Sequence, residues 1–431
     1  MTASRAARLV AVSALVGLPH LGAPAAHAVS PPSIDDKWLP GPALPAPPWP
    51  TLQREICATM TTDATQGGEL PRLRDLPRVW RLTRGAGQRV AVIDTGVAPH
   101  PRLPGVVPGG DYVSTGDGAQ DCDAHGTLVA GIIAAAADSP SGGSAGVAPE
   151  ATVISIRQSS SKFAPAGDRS RAAVGDVDTM AKAVRTAADL GASVINISSI
   201  ACVPVGSTLD DRALGAAVAY AVDVKNAVVV AAAGNSGGAA QCPRQRSDAT
   251  WQTTTVVVSP AWYDDYVLTV GSVNSDGAPS DFTLAGPWVD VAATGEGVSV
   301  LGAQPVSGTS YAAPVVSGLA ALIRSRFPAF TARQVMQRIE STAHHPPAGW
   351  DPLVGNGTID ALAAVSTDTS LPETTRPTTA PVPIVAPPTA TPPDRHARDV
   401  ALRGAAVCLI ALLGLLAAGR LRASGNRVAG D

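Results

Sequence analysis

Short apolar runs alternate with helical patterns through the middle of this 431-residue chain, and that alternation restricts the fold more than any other feature. Strands are predicted at 89–93, 152–156, 193–197, 227–232, 267–270 and 289–292, and helices at 127–137, 176–190, 209–224, 310–326 and 331–341. The strands are apolar along nearly their whole length. The sequence therefore predicts an α/β fold in which helices cover both faces of a mostly parallel sheet.

Composition and charge exclude two classes of protein. The 32 Lys and Arg residues against 35 Asp and Glu give a formal net charge of −3, which argues against a basic, nucleic-acid-coating chain. Hydrophobic residues make up 45% of the chain and charged residues only 16%, so wholesale disorder is excluded as well. We therefore expect a folded protein without a nucleic-acid partner.

The N-terminus has the three parts of a secretory signal peptide. Arg5 and Arg8 supply a basic start, residues 9–18 are mostly apolar, and Ala26-His27-Ala28 is a small-x-small cleavage site. An uncleaved anchor is the alternative, but this apolar run is too short to span a bilayer. The sequence predicts a signal peptide at 1–28.

A Pro/Thr-rich segment and a second apolar run follow the body of the chain. Residues 366–394 contain eight Pro and eight Thr, a composition that keeps a chain extended, and we predict a linker at 366–398. A transmembrane helix is predicted at 399–420, with Arg403 reaching the interface and a cytoplasmic tail at 421–431. A buried core helix is the alternative. The chain is therefore expected to be a single-pass cell-membrane protein with its body outside the cytoplasm.

Four of the five cysteines lie in the body, where they allow three pairings. We favour Cys57–Cys122 and Cys202–Cys242, which agrees with an exported protein. Metal ligation is the alternative, but the sequence has no CxxC or HxxxH spacing.

Three residues lie where nucleophilic catalysis would need them. Asp94 follows a buried strand, His125 precedes a helix of small residues, and Ser310 opens a helix whose N-terminal N–H groups favour an oxyanion. Active sites of such sheets lie beyond the carboxyl ends of the strands. Taken singly, each residue is often only a turn former or a helix cap. Together they occur in the chain order of subtilisin.

The surrounding segments resemble the three signatures of the subtilisin-like serine proteases, the subtilases. Asp94-Thr95-Gly96, His125-Gly126-Thr127 and Gly308-Thr309-Ser310 occur in that order, and the resemblance covers about residues 85–345. It implies a subtilisin-like α/β fold with a peptidase domain at 81–365. It also implies that Ser310 attacks a peptide carbonyl, His125 transfers the proton, and Asp94 stabilises the imidazolium.

Two further segments match the family's oxyanion hole and substrate cleft. Gly234-Asn235-Ser236-Gly237 implies Asn235 as the oxyanion donor, with Gly234 in the cleft. The strand that ends at Ser198 implies a second wall of the cleft. Ser199-Ile200-Ala201 follows where the family usually has glycines, so Ile200 and the nearby Cys202 are expected to narrow or reshape the cleft.

Within the subtilases the chain most resembles the mycosins, which are membrane-anchored proteases of type VII secretion systems. The resemblance rests on the Pro-rich start at 31–36, the segment 121–127 around His125, and the C-terminal linker and helix. It implies a serine endopeptidase that cleaves exported protein substrates and is a partner of the type VII secretion membrane complex. The alternative is mainly a scaffold of that complex, with proteolysis secondary.

The Pro-rich segment 29–80 is expected to wrap the body, because a Cys57–Cys122 bond would hold it beside His125. It would then be a structural extension rather than a removable inhibitory propeptide. Pro314 is expected in the first helical turn, where its missing N–H costs little.

No cofactor or metal is expected. His344-His345 has no carboxylate at ligand spacing and is interpreted as a solvated loop. Asp121 and Asp123 offer a calcium alternative, but two carboxylates do not specify a site that needs six to eight oxygens.

Overall fold

The structure is a computed structural model that describes residues 28–59, 75–137, 145–168, 173–238, 242–366, 403–404, 409–411 and 413. The predicted signal peptide, linker, membrane helix and tail lie almost entirely outside these residues. Within them, no helix has both the length and the apolar character to cross a membrane. The chain divides into two units, Met1–Ser370 and Leu371–Asp431, and every element named below belongs to the first.

A parallel sheet of seven strands forms the centre of this unit. In chain order, the eleven strands of the described residues are β1 (Thr51–Gln53), β2 (Arg89–Asp94), β3 (Val107–Asp111), β4 (Thr152–Arg157), β5 (Phe163–Pro165), β6 (Val194–Ile197), β7 (Ala201–Pro204), β8 (Val228–Ala232), β9 (Val256–Ser259), β10 (Val267–Val273) and β11 (Val291–Thr294). The central order is β11-β10-β8-β6-β2-β4-β3, with every neighbouring pair parallel. Outside it, β1 pairs with β5 and β7 with β9, both antiparallel.

Helices cover both faces of the sheet. They are α1 (Leu76–Val79), α2 (His125–Ala134), α3 (Val177–Asp189), α4 (Arg212–Ala219), α5 (Thr309–Arg326), α6 (Ala332–Ser341) and α7 (Ala361–Val365). Helices α2 and α5 pack together against the central strands, and α3 and α4 form a second pair on the other face. Strands β4, β6 and β8 are buried at nearly every position, which explains their continuous apolar sequence. The predicted α/β fold with a parallel sheet is confirmed.

Two predicted helices begin or end differently from the sequence pattern. Helix α2 starts at His125 itself and ends at Ala134. Helix α4 starts three residues later than predicted, at Arg212, and the carboxylate of the preceding Asp211 accepts hydrogen bonds from Trp262 Nε1 and Tyr263 Oη. A π-helical turn over Tyr220–Val224 continues α4 to its predicted end.

The sequence did not predict β3, because Pro108, Gly109 and Gly110 are untypical of a strand. Gly109 is nevertheless required there, since a Cβ would lie 2.6 Å from Ile156 Cγ1 on β4.

The Pro-rich segment makes contacts at several places on the body. The Val29 N–H donates to the Trp251 carbonyl at 2.8 Å, and Arg185 donates to the Pro40 carbonyl at 3.1 Å. The Arg212 guanidinium lies 3.7 Å from the centre of the Trp38 ring. Strand β1 then pairs with β5. The described part of this segment therefore follows the surface of the body over a long path.

Candidate active site

Asp94 is the last residue of β2 and its side chain is fully buried. Its Oδ1 accepts a hydrogen bond from His125 Nδ1 at 2.6 Å and one from the Thr95 N–H at 2.7 Å. No donor among the described residues reaches Oδ2. The carboxylate is thus held by rigid backbone and directed at one ring nitrogen of His125.

His125 begins α2, after a backbone turn that alanine rarely adopts. Ala124 has φ +63°, in the left-handed region. The His125 side chain keeps 27% of its surface exposed. Burial lowers its pKa, but the charge and hydrogen bond of Asp94, with the charges of Asp121 and Asp123, outweigh burial and hold the pKa above its ordinary value.

Ser310 lies in the first turn of α5, beside Asn235. The Asn235 Oδ1 accepts from the Thr309 N–H at 2.9 Å, which directs its Nδ2 away from the helix backbone. A Cβ placed on Gly308 would lie 3.1 Å from Ser310 Oγ and 3.5 Å from Asn235 Nδ2. The hydroxyl and the amide N–H₂ therefore face the same small space, which only glycine at 308 leaves open.

Tyr311 connects this end of α5 to His125. The two rings lie 5.2 Å apart between centroids, at an interplanar angle of 46°. Burial, with the charges of Asp94 and Asp121, raises the pKa of Tyr311 to about 12, so the phenol stays neutral at physiological pH. Ser310 directly precedes Tyr311, so this ring contact places the start of α5 close to the imidazole of His125.

Pro314 lies deeper in α5 than the sequence prediction placed it. The helix begins at Thr309, so Pro314 is its sixth residue, beyond the first turn. Four residues earlier stands Ser310, whose carbonyl would accept the N–H that proline lacks. The prediction of a harmless first-turn position is therefore wrong.

A buried side chain replaces the missing donor. Ser198 Oγ donates to the Ser310 carbonyl at 3.1 Å, and Asn196 Nδ2 lies 2.9 Å from the same hydroxyl. Asn196 Oδ1 in turn accepts from Ser317 Oγ at 2.8 Å. Ser198, expected only as a cleft residue, thus also supports the backbone of the candidate nucleophile.

Asp121 organises the loop between Asp94 and His125. Its carboxylate accepts from Thr95 Oγ1 at 2.8 Å, from the Thr127 N–H at 2.8 Å and from Thr127 Oγ1 at 2.7 Å. Thr95 Oγ1 also accepts from the Gly126 N–H at 2.9 Å. Asp121 therefore links the residue after Asp94 to the first turn of α2. The sequence singled it out only as a calcium alternative.

The carboxylate of the neighbouring Asp123 also accepts hydrogen bonds, from Ser160 Oγ at 2.5 Å and from Ser161 Oγ at 2.5 Å. Both carboxylates are thus taken by protein donors. Within the described residues, no group of three or more His, Cys, Asp or Glu side chains could hold a metal ion.

Both favoured disulfides are present. Cys57 and Cys122 join the Pro-rich segment to the loop before His125. Cys202 and Cys242 join the start of β7 to the segment after Asn235, where the Cys242 N–H also donates to the Asn235 carbonyl at 2.9 Å.

The predicted cleft residues lie on both sides of Ser310. Gly234 donates its N–H to Thr309 Oγ1 at 3.1 Å, and Ser198 contacts the Ser310 carbonyl from the other side. Ile200 lies between Gly234 and a pocket of about 190 Å³, which Ser199, Met180 and Leu214 also line. The structure therefore brings all six predicted triad, oxyanion and cleft residues together at one edge of the sheet.

The chain is similar to a known protein family and to several known proteins. The model of the Subtilase family matches residues 85–357. Mycosin-4 of Mycobacterium tuberculosis is 67% identical over an alignment that covers 100% of both chains. A solved structure of the MycP3 protease from the type VII (ESX-3) secretion system is 44% identical, with a TM-score of 0.73, and the match covers 79% of this chain and 100% of that one. A chain of an intact ESX-5 inner membrane complex is 38% identical, with a TM-score of 0.73, over 91% of this chain and 100% of that one.

Proposed function

Since the chain belongs to the subtilase family of serine proteases, and within it to the mycosins, we propose that it is an endopeptidase whose catalytic triad is Asp94, His125 and Ser310. The observation that carries the proposal is the 2.6 Å contact between Asp94 Oδ1 and His125 Nδ1. It leaves His125 Nε2 for the hydroxyl of Ser310, and the Tyr311–His125 ring contact supports this pairing, because Tyr311 follows Ser310 directly in the chain.

The chemistry follows from these positions. His125 takes the Ser310 proton as Oγ attacks the peptide carbonyl, and it then gives that proton to the leaving amine, so an acyl-enzyme forms. Water then attacks the acyl-enzyme by the same proton transfers, and the product with the new carboxylate is released. Asn235 Nδ2 and the Ser310 N–H donate to the oxyanion that develops in each step. Asp94 stabilises the imidazolium, which agrees with its effect on the His125 pKa.

Labelling of the full-length protein with a fluorophosphonate tests the assembled nucleophile. The wild-type chain should be labelled, and Ser310→Ala should not. Ser325→Ala is a matched control, because Ser325 lies on the same helix with its exposed hydroxyl bonded to the Ala86 carbonyl. A folded wild-type protein that stays unlabelled would contradict the proposal.

We further propose that the protein is a single-pass, extracytoplasmic protease of the cell membrane and a component of a type VII secretion complex. The predicted signal peptide and membrane helix support the location. The relatives support the partner, because one is a protease from a type VII secretion system and another is a chain of an ESX-5 inner membrane complex. Exported proteins are the substrates that such a location offers.

Membership of the relative in an inner membrane complex also favours a second function, as a scaffold of such a complex. The two functions separate in one experiment. If secretion is lost on deletion of the chain but kept with Ser310→Ala, the scaffold is the main function. If both changes abolish secretion, proteolysis is required.

We also propose that the Pro-rich segment stays on the mature protein. It is tied to the body by the Cys57–Cys122 disulfide and by the pairing of β1 with β5. An active protein whose N-terminal residue is Val29 would support this, whereas an active form that begins near residue 75 would contradict it.

A further inference from the structure

Three arginine side chains line one open cavity at the end of α5 that lies farthest from Ser310. The cavity has a volume of about 330 Å³, and its lining includes Arg81 and Arg84, which follow α1, and Arg326, the last residue of α5. At about 1.5 Å per residue, Ser310 and Arg326 lie about 24 Å apart along the helix. A ligand in this cavity therefore does not touch the proposed catalytic residues.

The cavity carries more positive than negative charge. Glu150 neutralises Arg84, whose Nε donates to Glu150 Oε1 at 2.7 Å. Within the described residues, no carboxylate pairs with Arg81 or Arg326, and the only side-chain contact of Arg81 there is a long one of 3.5 Å to the Pro77 carbonyl. Arg326 Nε is buried and accepts no partner from the described part of the chain. Two guanidinium charges are therefore left for a ligand.

The dipole of α5 explains only part of this charge. Basic side chains in the last turn of a helix interact favourably with its dipole, which accounts for Arg326 but not for Arg81 on a separate segment. Trp80 Nε1 donates to the Val147 carbonyl at 2.9 Å, and the guanidinium carbon of Arg84 lies 5.2 Å from the centre of the Trp80 ring. Trp80 and Arg84 thus form a fixed wall without any ligand.

This combination of charge and volume suits a phosphate group. The planar N–H fork of arginine binds phosphate bidentately, and a phosphate ester offers several acceptor oxygens and up to two negative charges. The cavity is much larger than the ~30 Å³ of one water molecule, so an ester fits with part of its carbon portion. The half-buried Trp80 and Leu82, which is 43% exposed, offer an apolar surface for that portion.

The last described residue of the body lies near the cavity. Arg326 and Arg338 both contact Phe327, with guanidinium carbons 5.7 Å and 5.9 Å from the centre of its ring. Arg338 Nη2 in turn donates to the Ser366 carbonyl at 2.6 Å. Because the sequence predicts a membrane helix further along the chain, phospholipid headgroups are one source of phosphate esters for this site.

We propose that Arg81 and Arg326 bind the phosphate of an organic phosphate ester in this cavity, beside the wall formed by Trp80 and Arg84. The carbon portion of the ester lies against Trp80 and Leu82. An anionic phospholipid headgroup and a small soluble ester share this chemistry. The site does not depend on the peptidase activity proposed above.

Titration calorimetry with the full-length protein in a non-ionic detergent tests the site. The probes are glycerol phosphate and dihexanoyl phosphatidylglycerol, with glycerol as the uncharged control, and every protein carries Ser310→Ala so that none digests itself. Both phosphates should bind, more weakly as salt is added, and glycerol should not. Tighter binding of the lipid would support a headgroup, and tighter binding of glycerol phosphate a soluble ester.

Arg81→Gln and Arg326→Gln should each weaken the binding of both phosphates at least about tenfold, because each removes a charge-assisted contact. Arg54→Gln is the matched control, since Arg54 is an exposed arginine that does not line the cavity. It should leave the affinity unchanged. A lipid bound elsewhere on the chain would not depend on Arg81 or Arg326. Unchanged affinity in both cavity variants, or no binding of either phosphate to the folded protein, would overturn the inference.

Glu150→Gln should change the affinity in the opposite direction. It removes the carboxylate that lines the cavity and releases Arg84 Nε, so both phosphates should bind about threefold more tightly or better. Loss of folding cannot strengthen binding, so this variant remains informative if Arg326→Gln does not fold. Weaker binding by folded Glu150→Gln would contradict the proposed site.

Discussion

Ser198→Ala is expected to destabilise the protein, because it removes the hydrogen-bond donor of a partly buried carbonyl at the start of α5. Ser198 Oγ donates to the Ser310 carbonyl at 3.1 Å. The helix cannot replace this donor, because Pro314 stands four residues further on and has no N–H. A buried acceptor left without a partner costs about 1–3 kcal/mol. We therefore expect the free energy of unfolding to fall by about 2 kcal/mol.

Pro314→Ala should remove this dependence on Ser198. Alanine restores an N–H at the position that reaches the Ser310 carbonyl, so the carbonyl gains a helical partner. In that background Ser198→Ala still removes the partner of Asn196 Nδ2, but it should cost at least about 1 kcal/mol less than in the proline background, which is the coupling energy between the two sites. Wild type, the two single variants and the double variant form a double-mutant cycle. Pro314→Ala alone also relieves helix strain and alters packing and chain entropy, but these effects on the free energy of unfolding cancel in the cycle.

Urea unfolding followed by circular dichroism measures the four free energies. All four proteins carry Ser310→Ala so that none digests unfolded chains during equilibration. Ser299→Ala is the matched control, because Ser299 Oγ also donates to a carbonyl, that of Ala303, at 2.9 Å outside α5. Ser299→Ala should lower the free energy of unfolding by the same amount with and without Pro314→Ala. If Ser198→Ala and Pro314→Ala were additive within about 0.5 kcal/mol, the reasoning would be refuted.

Four other changes have expected outcomes. Asp121→Asn removes a charge that raises the His125 pKa, so the acid limb of kcat/KM should move to lower pH, while the exposed Asp276→Asn should leave it in place. Burial and the charge of Asp264 raise the pKa of Glu340 to about 7 from 4.5, so its contribution to stability is lost as the pH rises through 7. Glu340→Gln should therefore raise the melting temperature at pH 8 relative to wild type more than at pH 4; an equal change at both would contradict this. Replacing Cys57 and Cys122 together by serine releases a constraint over a sequence separation of 65 and should cost about 4 kcal/mol in non-reducing melts. Ala124→Gly relieves a φ of +63° and should raise the free energy of unfolding by about 1 kcal/mol, whereas Ala213→Gly inside α4 should lower it.

The central sheet could be predicted from sequence because burial on both faces leaves a strong signal. Strand β4 was predicted at 152–156 and extends to Arg157. The sequence predicts secondary structure less well where contacts between distant parts of the chain determine it. Strand β3 contains Pro108 and two glycines and is a strand only because it pairs with β4. The residue before α4, Asp211, has side-chain partners about fifty residues away in sequence, which the local pattern does not reveal.

The candidate site divides in the same way. Asp94, His125 and Ser310 stand in short motifs at the ends of elements, so their order along the chain was enough to suggest one site. The support of the Ser310 carbonyl by Ser198 could not be predicted, because it depends on which turn of α5 contains Pro314. That position follows from the helix start at Thr309, and helix starts are poorly defined by sequence alone.

Three consecutive residues, Asp121, Cys122 and Asp123, connect the start of α2 to three different parts of the molecule. Asp121 bonds to Thr95 and Thr127, Cys122 is bonded to Cys57, and Asp123 accepts from Ser160 and Ser161. The connections of Cys122 and Asp123 both lead to the Pro-rich segment. Cys57 belongs to it, and the chain after Ser161 continues into β5, which pairs with β1 of that segment. The Arg54 N–H also donates to the Lys162 carbonyl at 2.7 Å. The Pro-rich segment therefore holds the loop before His125 both by a covalent bond and through a strand pair. Loss of this segment would break the second connection and would remove the strand partner of β5, which supports the third. An extension with that position is expected to keep the imidazole in place, which a removable inhibitor would not need to do.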